Sequence, residues 1–391
     1  MISREQLRQL ASFECRNPDE LAISFYYNPS TPQDKSHREE GILAKDLVRK
    51  TIQELQINGV LRGGLEDLQR VLELAERLHG NQARGKVVFA CSARGIWEEF
   101  DVPAGLATTK LFVNRRFHLR PLASVFSQYP RLWVALVDRH RARFLEVQFE
   151  QIHEHTPLTN PLPRHGHSDG FSGYDAGHSE RHESDDYRRH YEAVAEALKR
   201  AAEKKQFEVL VIGCNDVNWP ELQGQLHSYV QKKVVGRFSA DLSTPGDVQA
   251  IREAERILRE SLHEHHQNLI REVIDQARSN GLGVTGLRRV LRATEMGEVE
   301  TLLMSSDYTA RAVECTACGH MDSHLVPYCP VCGRATRQLD DICEALVPAA
   351  IKNNIGLVLV PRGETLDGVG NIAALLRFRA DRNTNQQLVA S

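Results

Sequence analysis

Cys315-Thr-Ala-Cys318 and Cys329-Pro-Val-Cys332 are two C-x-x-C pairs separated by ten residues. Two such knuckles put four thiolates within reach of one tetrahedral ion, the ligand pattern of structural zinc. In the second pair Gly333 follows the last cysteine, where it can supply the left-handed turn that lets backbone N–H groups face the sulfurs. Four protein thiolates leave no position for a reacting water, so the pattern reads as structural and not catalytic. His320 and His324 lie between the pairs and could replace a ligand. The pairs interrupt a run of helix and strand patterns. Residues 315–332 are therefore expected to be a ribbon inserted into an α/β domain.

On either side of the ribbon the pattern reads helix (285–295), strand (299–304), helix (338–353) and strand (355–360), then Gly368-Val-Gly370-Asn371 and an apolar run 372–379. A lone G-x-G can approach phosphate, but a tight turn before the last strand is the simpler reading. A long charged helix, about 245–278, leads into this part. Upstream, strands are expected at 132–138, 142–149 and 207–214, with helices at 186–205 and after Trp219-Pro220. Between them, 153–186 is rich in Gly, Pro, His and acids and poor in apolar residues. It cannot bury a core and is expected to be a long exposed loop. The first part reads strand (21–27), helices (38–57 and 64–79) and strands (86–91, 96–101 and 106–114), then a short helix after Phe117-His-Leu-Arg-Pro121. The expected fold class is α/β multidomain: three mixed α/β domains, at 1–128, 129–265 and 266–391, the last with the inserted zinc ribbon.

A chain of 391 residues is too long for one ordinary core, in keeping with several domains. A net charge of −3 gives no global pull toward nucleic acid, so any RNA contact has to come from local basic patches. No apolar run reaches the roughly 20 residues that span a bilayer, and Met1-Ile-Ser-Arg-Glu-Gln lacks the apolar core of a signal peptide. A cytoplasmic protein is expected, and a reducing compartment favours metal over disulfide at the paired cysteines. Cys15, Cys91, Cys214 and Cys343 are scattered; Cys91 and Cys214 sit in apolar runs and read as small buried hydrophobes.

Two further regions carry candidate chemistry. The loop holds Arg164, His165, Gly166, His167, Gly170, Phe171, Gly173, Tyr174, Gly177, His178 and Arg181, followed by Arg188 and Arg189. Arginines can meet RNA phosphates while Phe171 and Tyr174 stack on bases. The same stretch also reads as a plain surface loop, or as a metal site from His153, His155, His165, His167, His178 and His182. Asp169, Asp175, Asp185 and Asp186 weaken a purely electrostatic docking. In the first part Lys45, Arg49, Lys50, Arg115, Arg116 and Arg120 form a second candidate RNA patch, or an ordinary solvated face. No phosphate-loop, zinc-protease or Ser/His/Asp pattern points to a catalytic site.

Gly286-Leu-Arg-Arg-Val-Leu-Arg-Ala-Thr-Glu-Met-Gly-Glu-Val-Glu-Thr-Leu-Leu-Met-Ser305 and Gly368-Val-Gly-Asn-Ile-Ala-Ala-Leu-Leu-Arg-Phe-Arg379 resemble the C-terminal domain of archaeo-eukaryotic class-one peptide-chain release factors and Pelota. That domain carries a G-x-V-E-x-L-L unit and ends in G-x-G-x-I-A-A-I-L-R-Y; archaeal members place paired C-x-x-C knuckles there. Trp97-Glu-Glu-Phe100, Arg116-Phe-His-Leu-Arg-Pro121 and the Leu-Val-Asp138 strand follow in the order seen in the bacterial branch of this superfamily. The resemblance implies a tRNA-shaped factor for the ribosomal A site. Its first domain would lie in the decoding centre, its middle-domain loop would reach toward the peptidyl-transferase centre, and its last domain would face a partner GTPase.

The sequence departs from that family at both working ends. Release chemistry in the family uses a Gly-Gly-Gln loop, whereas His165-Gly-His-Ser-Asp-Gly-Phe-Ser-Gly-Tyr-Asp-Ala-Gly-His178 has spaced glycines and no Gly-Gly pair, and no glutamine lies between Gln151 and Gln206. In place of the family's Asn-Ile-Lys-Ser motif stands Gly41-Ile-Leu-Ala-Lys45-Asp-Leu, and Leu111-Phe-Val-Asn-Arg-Arg-Phe117 keeps only the phenylalanine of Tyr-x-Cys-x-x-x-Phe. The expectation is a monomeric, zinc-bearing A-site factor that occupies stalled or vacant ribosomes in hibernation, stress or rescue, delivered by a translational GTPase such as elongation factor Tu. Two alternatives stay open. One is a peptidyl-tRNA hydrolase, release-type enzyme or nuclease with His178 or His182 as general base. The other is an adaptor whose zinc ribbon binds another protein.

Overall fold

A computed structural model describes residues 2–15, 17, 20–29, 38–57, 62–78, 85–102, 108–123, 130–148, 151–159, 176–240, 242, 247–360 and 366–380. They form two compact units, one from residues 1–127 with 266–391 and the other from 128–265. The layered mixed α/β class expected from the alternating patterns is what forms. Among the described residues no helix is long and apolar enough to cross a membrane.

The chain opens with helix α1 (Arg4–Ala11), which the sequence reading did not anticipate. Its signal is a capping box: Gln6 N–H donates to Ser3 Oγ (3.1 Å) and Ser3 N–H to Gln6 Oε1 (2.8 Å). Strands β1 (Ala22–Tyr27), β2 (Gly85–Cys91), β3 (Ile96–Val102) and β4 (Lys110–Asn114) form an antiparallel sheet in the order β3-β2-β1-β4. Helices α2 (Arg38–Ile57) and α3 (Arg62–Arg77) cover one face. Ile23, Phe25 and Tyr27 alternate toward them and pack with Ala44, Val48, Leu68 and Val71. On the opposite face Tyr26 meets Phe89 edge to face, and its hydroxyl donates to the His118 carbonyl. The His118 ring stacks on Phe112 at 3.8 Å.

The second unit has a five-stranded sheet of β5 (Leu132–Val137), β6 (Arg141–Gln148), β7 (Gln151–Thr159), β8 (Val209–Cys214) and β9 (Val234–Phe238), in the order β7-β6-β5-β8-β9. Strands β5, β8 and β9 run parallel. Helix α4 (Ala176–Glu203) covers one face; short helices α5 (Trp219–Gln225) and α6 (Ser228–Gln231) lie beside it. The start of α7 (Asp247–Arg278) covers the other, with Ile251, Ala254 and Leu258 on Leu132, Val134 and Val211.

The expected exposed loop at 153–186 is corrected at both ends. Strand β7 takes up 153–159, and α4 begins ten residues before the expected helix start at 186. Residues 160–175 lie outside the described residues. An outer strand pairs along one edge only, so β7 keeps exposed His153, Glu154 and Pro157, the composition that suggests a loop. Its anchor is Arg143, whose guanidinium takes Glu154 at 2.7 and 2.9 Å and Asp247 at 2.6 and 2.9 Å. The hydrogen bonds from Arg143 hold both carboxyls below their usual range.

The last part has a sheet of β10 (Gly283–Thr285), β11 (Val299–Ser305), β15 (Gly356–Val360) and β16 (Ile372–Leu376), in the order β10-β16-β11-β15, with helices α8 (Leu287–Glu295) and α9 (Cys343–Lys352). Ile270 and Val273 of α7 pack on Leu303 and Ala373. Between β11 and α9 lies a separate small sheet, β12 (Ala312–Cys315), β13 (Met321–Asp322) and β14 (Thr336–Leu339), in the order β13-β12-β14.

Within the first unit the N-terminal and C-terminal parts are joined by buried charge. Glu314, 6% exposed, accepts from Arg116 Nη1 (2.9 Å) and Nη2 (2.7 Å) and from Arg337 Nη2 (2.6 Å). Arg116 Nη2 also donates to Glu14 at 2.8 Å. Arg120 donates to the carbonyls of Tyr308 (2.6 Å) and Ser305 (2.8 Å), and Asn114 Nδ2 donates to Glu344 (2.8 Å). Burial alone would raise the Glu314 carboxyl, but its two arginines outweigh it and hold the pKa below the usual value.

Two outcomes follow from this packing. Arg116→Ala leaves a buried carboxylate with one partner and is expected to cost about 3 kcal/mol in denaturant unfolding; Arg116→Lys should recover only part, having lost the two-pronged contact. An unchanged midpoint for Arg116→Ala would show the clasp to be energetically idle. Burial, with Arg120 and Lys110 behind it, pushes the His118 imidazole from 6.5 down to about 4. Because the folded value is depressed, this contribution is fully present above pH 6.5 and is lost as pH falls through the window down to about 4. It amounts to about 3 kcal/mol. Unfolding of His118→Phe measured across that window should lack this slope; identical pH profiles for both proteins would contradict it.

Candidate metal centre and nucleic-acid interface

The ribbon sheet brings the two cysteine pairs together. The Sγ atoms of Cys315, Cys318, Cys329 and Cys332 all lie within 4.8 Å of one another, with Cys315–Cys332 at 3.4 Å and Cys318–Cys329 at 3.7 Å. A tetrahedral ion at roughly 2.3 Å from each sulfur needs sulfurs about 3.8 Å apart, so the donor set suits one soft divalent metal such as zinc. Backbone N–H groups face the sulfurs as a thiolate needs: Ala317 (3.4 Å) and Cys318 (3.5 Å) on Cys315, and Val331 (3.4 Å) on Cys329. The N–H groups of Cys318 and Ala317 pull the Cys315 thiol below its ordinary range.

Both knuckles close in the same way. Gly319 (φ 74°) and Gly333 (φ 71°) take the left-handed turn, and their N–H groups return to the carbonyls of Cys315 (3.1 Å) and Cys329 (2.9 Å). The sequence reading found this role for Gly333 but passed over Gly319, although it also follows its cysteine directly. The two histidines are engaged elsewhere. His320 Nδ1 meets Glu295 at 2.9 Å, and His324 Nδ1 meets Asp322 at 3.0 Å. Among the described residues the cluster is four cysteines alone.

The candidate N-terminal rRNA patch is split by the structure. Arg116 and Arg120 are not on a free face; they form the internal clasp to Glu314 and to the carbonyls of Ser305 and Tyr308. Arg115 is exposed and donates to the Cys15 carbonyl at 2.9 Å. Lys45, Arg49 and Lys50 remain together on α2; Arg49 meets Glu76 at 3.4 Å and Lys50 meets Glu54 at 3.9 Å. Beside them Ile42 and Leu43 are each 53% exposed.

In the second unit Arg164, His165, Gly166, His167, Gly170, Phe171, Gly173 and Tyr174 lie outside the described residues. Gly177, His178, Arg181 and His182 fall in the first turns of α4. Arg188 and Arg189 are exposed on that helix, Arg188 pairing with Glu192 at 3.0 Å. Of the histidines weighed as metal ligands, His153 and His155 are neighbours on β7. His155 Nε2 meets Glu146 at 2.9 Å, and its ring lies 4.5 Å from Trp133.

A polar cluster that sequence reading missed sits at the turn between β5 and β6. Arg139 lies 5.0 Å over the Tyr187 ring, whose edge meets His140 at 5.1 Å. Buried His140 Nδ1, His190 Nε2 and Tyr191 Oη have no hydrogen-bond partner among the described residues, a pattern that calls for bound water. Burial lowers the His190 pKa. The available signal was Asp138-Arg-His-Arg141, a charged turn between two apolar strands.

Residues 118–274 match the family model described as bacterial archaeo-eukaryotic release factor family 10. Peptide chain release factor subunit 1 of Archaeoglobus fulgidus is 24% identical over 307 residues, covering 73% of this chain and 75% of the relative. The protein of the same description from Thermococcus onnurineus is 24% identical over 296 residues, covering 68% and 70%. Among solved structures, a ribosome-bound archaeal Pelota described with ABCE1 aligns over 96% of this chain and 94% of its own, at 16% identity and a TM-score of 0.42. The chain is similar to the archaeo-eukaryotic release factors, and its middle part, 118–274, to their bacterial branch.

Proposed function

We propose that this protein is a ribosome-binding factor of the A site that acts by occupancy, in hibernation or rescue, without reading stop codons or hydrolysing peptidyl-tRNA. One observation carries the reading. A chain similar over 73% of its length to a peptide chain release factor has, where that family's catalytic loop is expected, His165 to His178 with no Gly-Gly pair and no glutamine. Hydrolysis in that family needs backbone to approach the tRNA terminus closely and an amide beside it; neither element is here.

The surfaces support the same division. Lys45, Arg49 and Lys50, with exposed Ile42 and Leu43, offer α2 as the N-terminal contact to rRNA. Exposed Arg188 and Arg189 on α4 offer the second contact, toward the peptidyl-transferase centre. Zinc is the metal proposed for Cys315, Cys318, Cys329 and Cys332, in a structural role. A translational GTPase such as elongation factor Tu is the proposed delivery partner.

Sucrose-gradient fractionation of starved cells tests the central claim: the protein is expected to sediment with ribosomes, and its absence from those fractions would overturn the reading. Purified protein added to ribosomes stalled at stop codons should release no peptide above background. For the ribbon, one zinc per chain is expected by elemental analysis. Cys329→Ala should lose that zinc and several kcal/mol of stability in the first unit, because metal binding and folding are coupled at such sites. Unchanged melting with the zinc retained would contradict the assignment.

A further inference from the structure

Strand β15, Gly356-Leu-Val-Leu-Val360, is the outer strand of the C-terminal sheet. Outer strands are ordinarily blunted by lysine, proline, a bulge or a covering element, because their free N–H and C=O groups template another chain. This one carries no charge and no proline, and Val358 and Val360 favour extended backbone. Among the described residues no backbone group pairs with the outer edge of Gly356 to Leu359.

Beside that edge lies a groove of about 290 Å³. Leu7, Ile351 and Leu357 give it an apolar floor, and Arg4 and Arg8 of α1 give it a cationic wall. Arg8 is held in place by Asn354: its Nη2 donates to the amide Oδ1 at 2.8 Å. Among the described residues that partner is a neutral amide and not a carboxylate, so the guanidinium keeps its charge for a ligand. The groove thus offers main-chain hydrogen bonds, apolar volume for one or two side chains, and positive charge along one side.

We infer that this groove takes an extended, acidic segment of a partner protein, which adds to β15 as a further strand. Strand addition supplies affinity through the main chain and selects side chains through the adjoining volume. Here a carboxylate of the segment meets Arg8, and an apolar side chain occupies the floor beside Leu7 and Leu357. RNA fits less well: the groove is apolar at its base, and among the described residues no aromatic ring lines it for a base to stack on.

The probe is a displayed library of random 12-residue peptides selected on the full chain. The most enriched peptide would then be synthesised, and its affinity measured by fluorescence anisotropy. Enriched peptides are expected to carry Asp or Glu beside an apolar residue. Arg8→Glu should weaken the chosen peptide at least about tenfold, whereas Arg8→Lys should retain most of the affinity, since charge is the recognised feature. Arg259→Glu, exposed in the other unit, should leave it unchanged. Hydrogen exchange should show new protection in 356–360 on peptide addition. The inference is overturned if no peptide is enriched, if binding ignores Arg8→Glu, or if protection appears outside β15. It is equally overturned if a single-stranded RNA oligonucleotide, and no peptide, protects those amides.

Discussion

Glu314 sits where a carboxylate is costly: it is 6% exposed and directly precedes Cys315 on β12. A buried charge is tolerated only with opposite charge and hydrogen bonds around it. Arg337 comes from the ribbon's own strand β14, but Arg116 reaches across from the segment after β4, a separation of 198 residues. Glu314 therefore couples the cysteine cluster to the first sheet, alongside the contacts of Arg120 and Asn114. Residues on both sides of it, Cys315 on the metal ligands and Arg116 on the clasp, have little freedom to shift independently.

That constraint also explains what the surface can offer. A guanidinium is attractive for phosphate in sequence, yet the same planar fork is the best partner for a buried carboxylate or a pair of carbonyls. Arg116 and Arg120 serve the second purpose. Their withdrawal leaves the cations of α2 partly balanced by Glu54 and Glu76. With a net charge of −3, such a surface gives a modest, local electrostatic attraction to RNA in place of a broad basic field.

Periodicity and spacing made much of the architecture legible. The central strands Ala22–Tyr27, Leu132–Val137 and Val209–Cys214 are apolar because both faces are covered, and a run of that kind shows in sequence. The helices at 38–57 and 247–278 carry a long 3.6-residue pattern, and C-x-x-C spacing located the four thiols. Edge elements were not legible. Strand β7 reads as loop because half its hydrogen bonds and most of its side chains face water, and the three-residue β10 is too short to build a pattern. Long-range polar pairs were invisible for a different reason: nothing local in Arg116-Phe117 indicates that a carboxylate near residue 314 lies within 3 Å.

The charge of the cysteine centre sharpens why the clasp is neutral. With zinc bound as proposed, four thiolates and a divalent ion carry two net negative charges. Next to them Glu314 and Glu14 add two more, and Arg116 and Arg337 cancel those two. The clasp thus brings no net charge to the centre, and the negative charge of the sulfurs is left to the N–H groups of Ala317, Cys318 and Val331. Those dipoles are fixed by the left-handed turns at Gly319 and Gly333, whose N–H groups close each knuckle. A side chain at either glycine would strain the turn that aims these N–H groups, so the two small residues after the cysteines matter to the electrostatics of the centre as much as the ligands do.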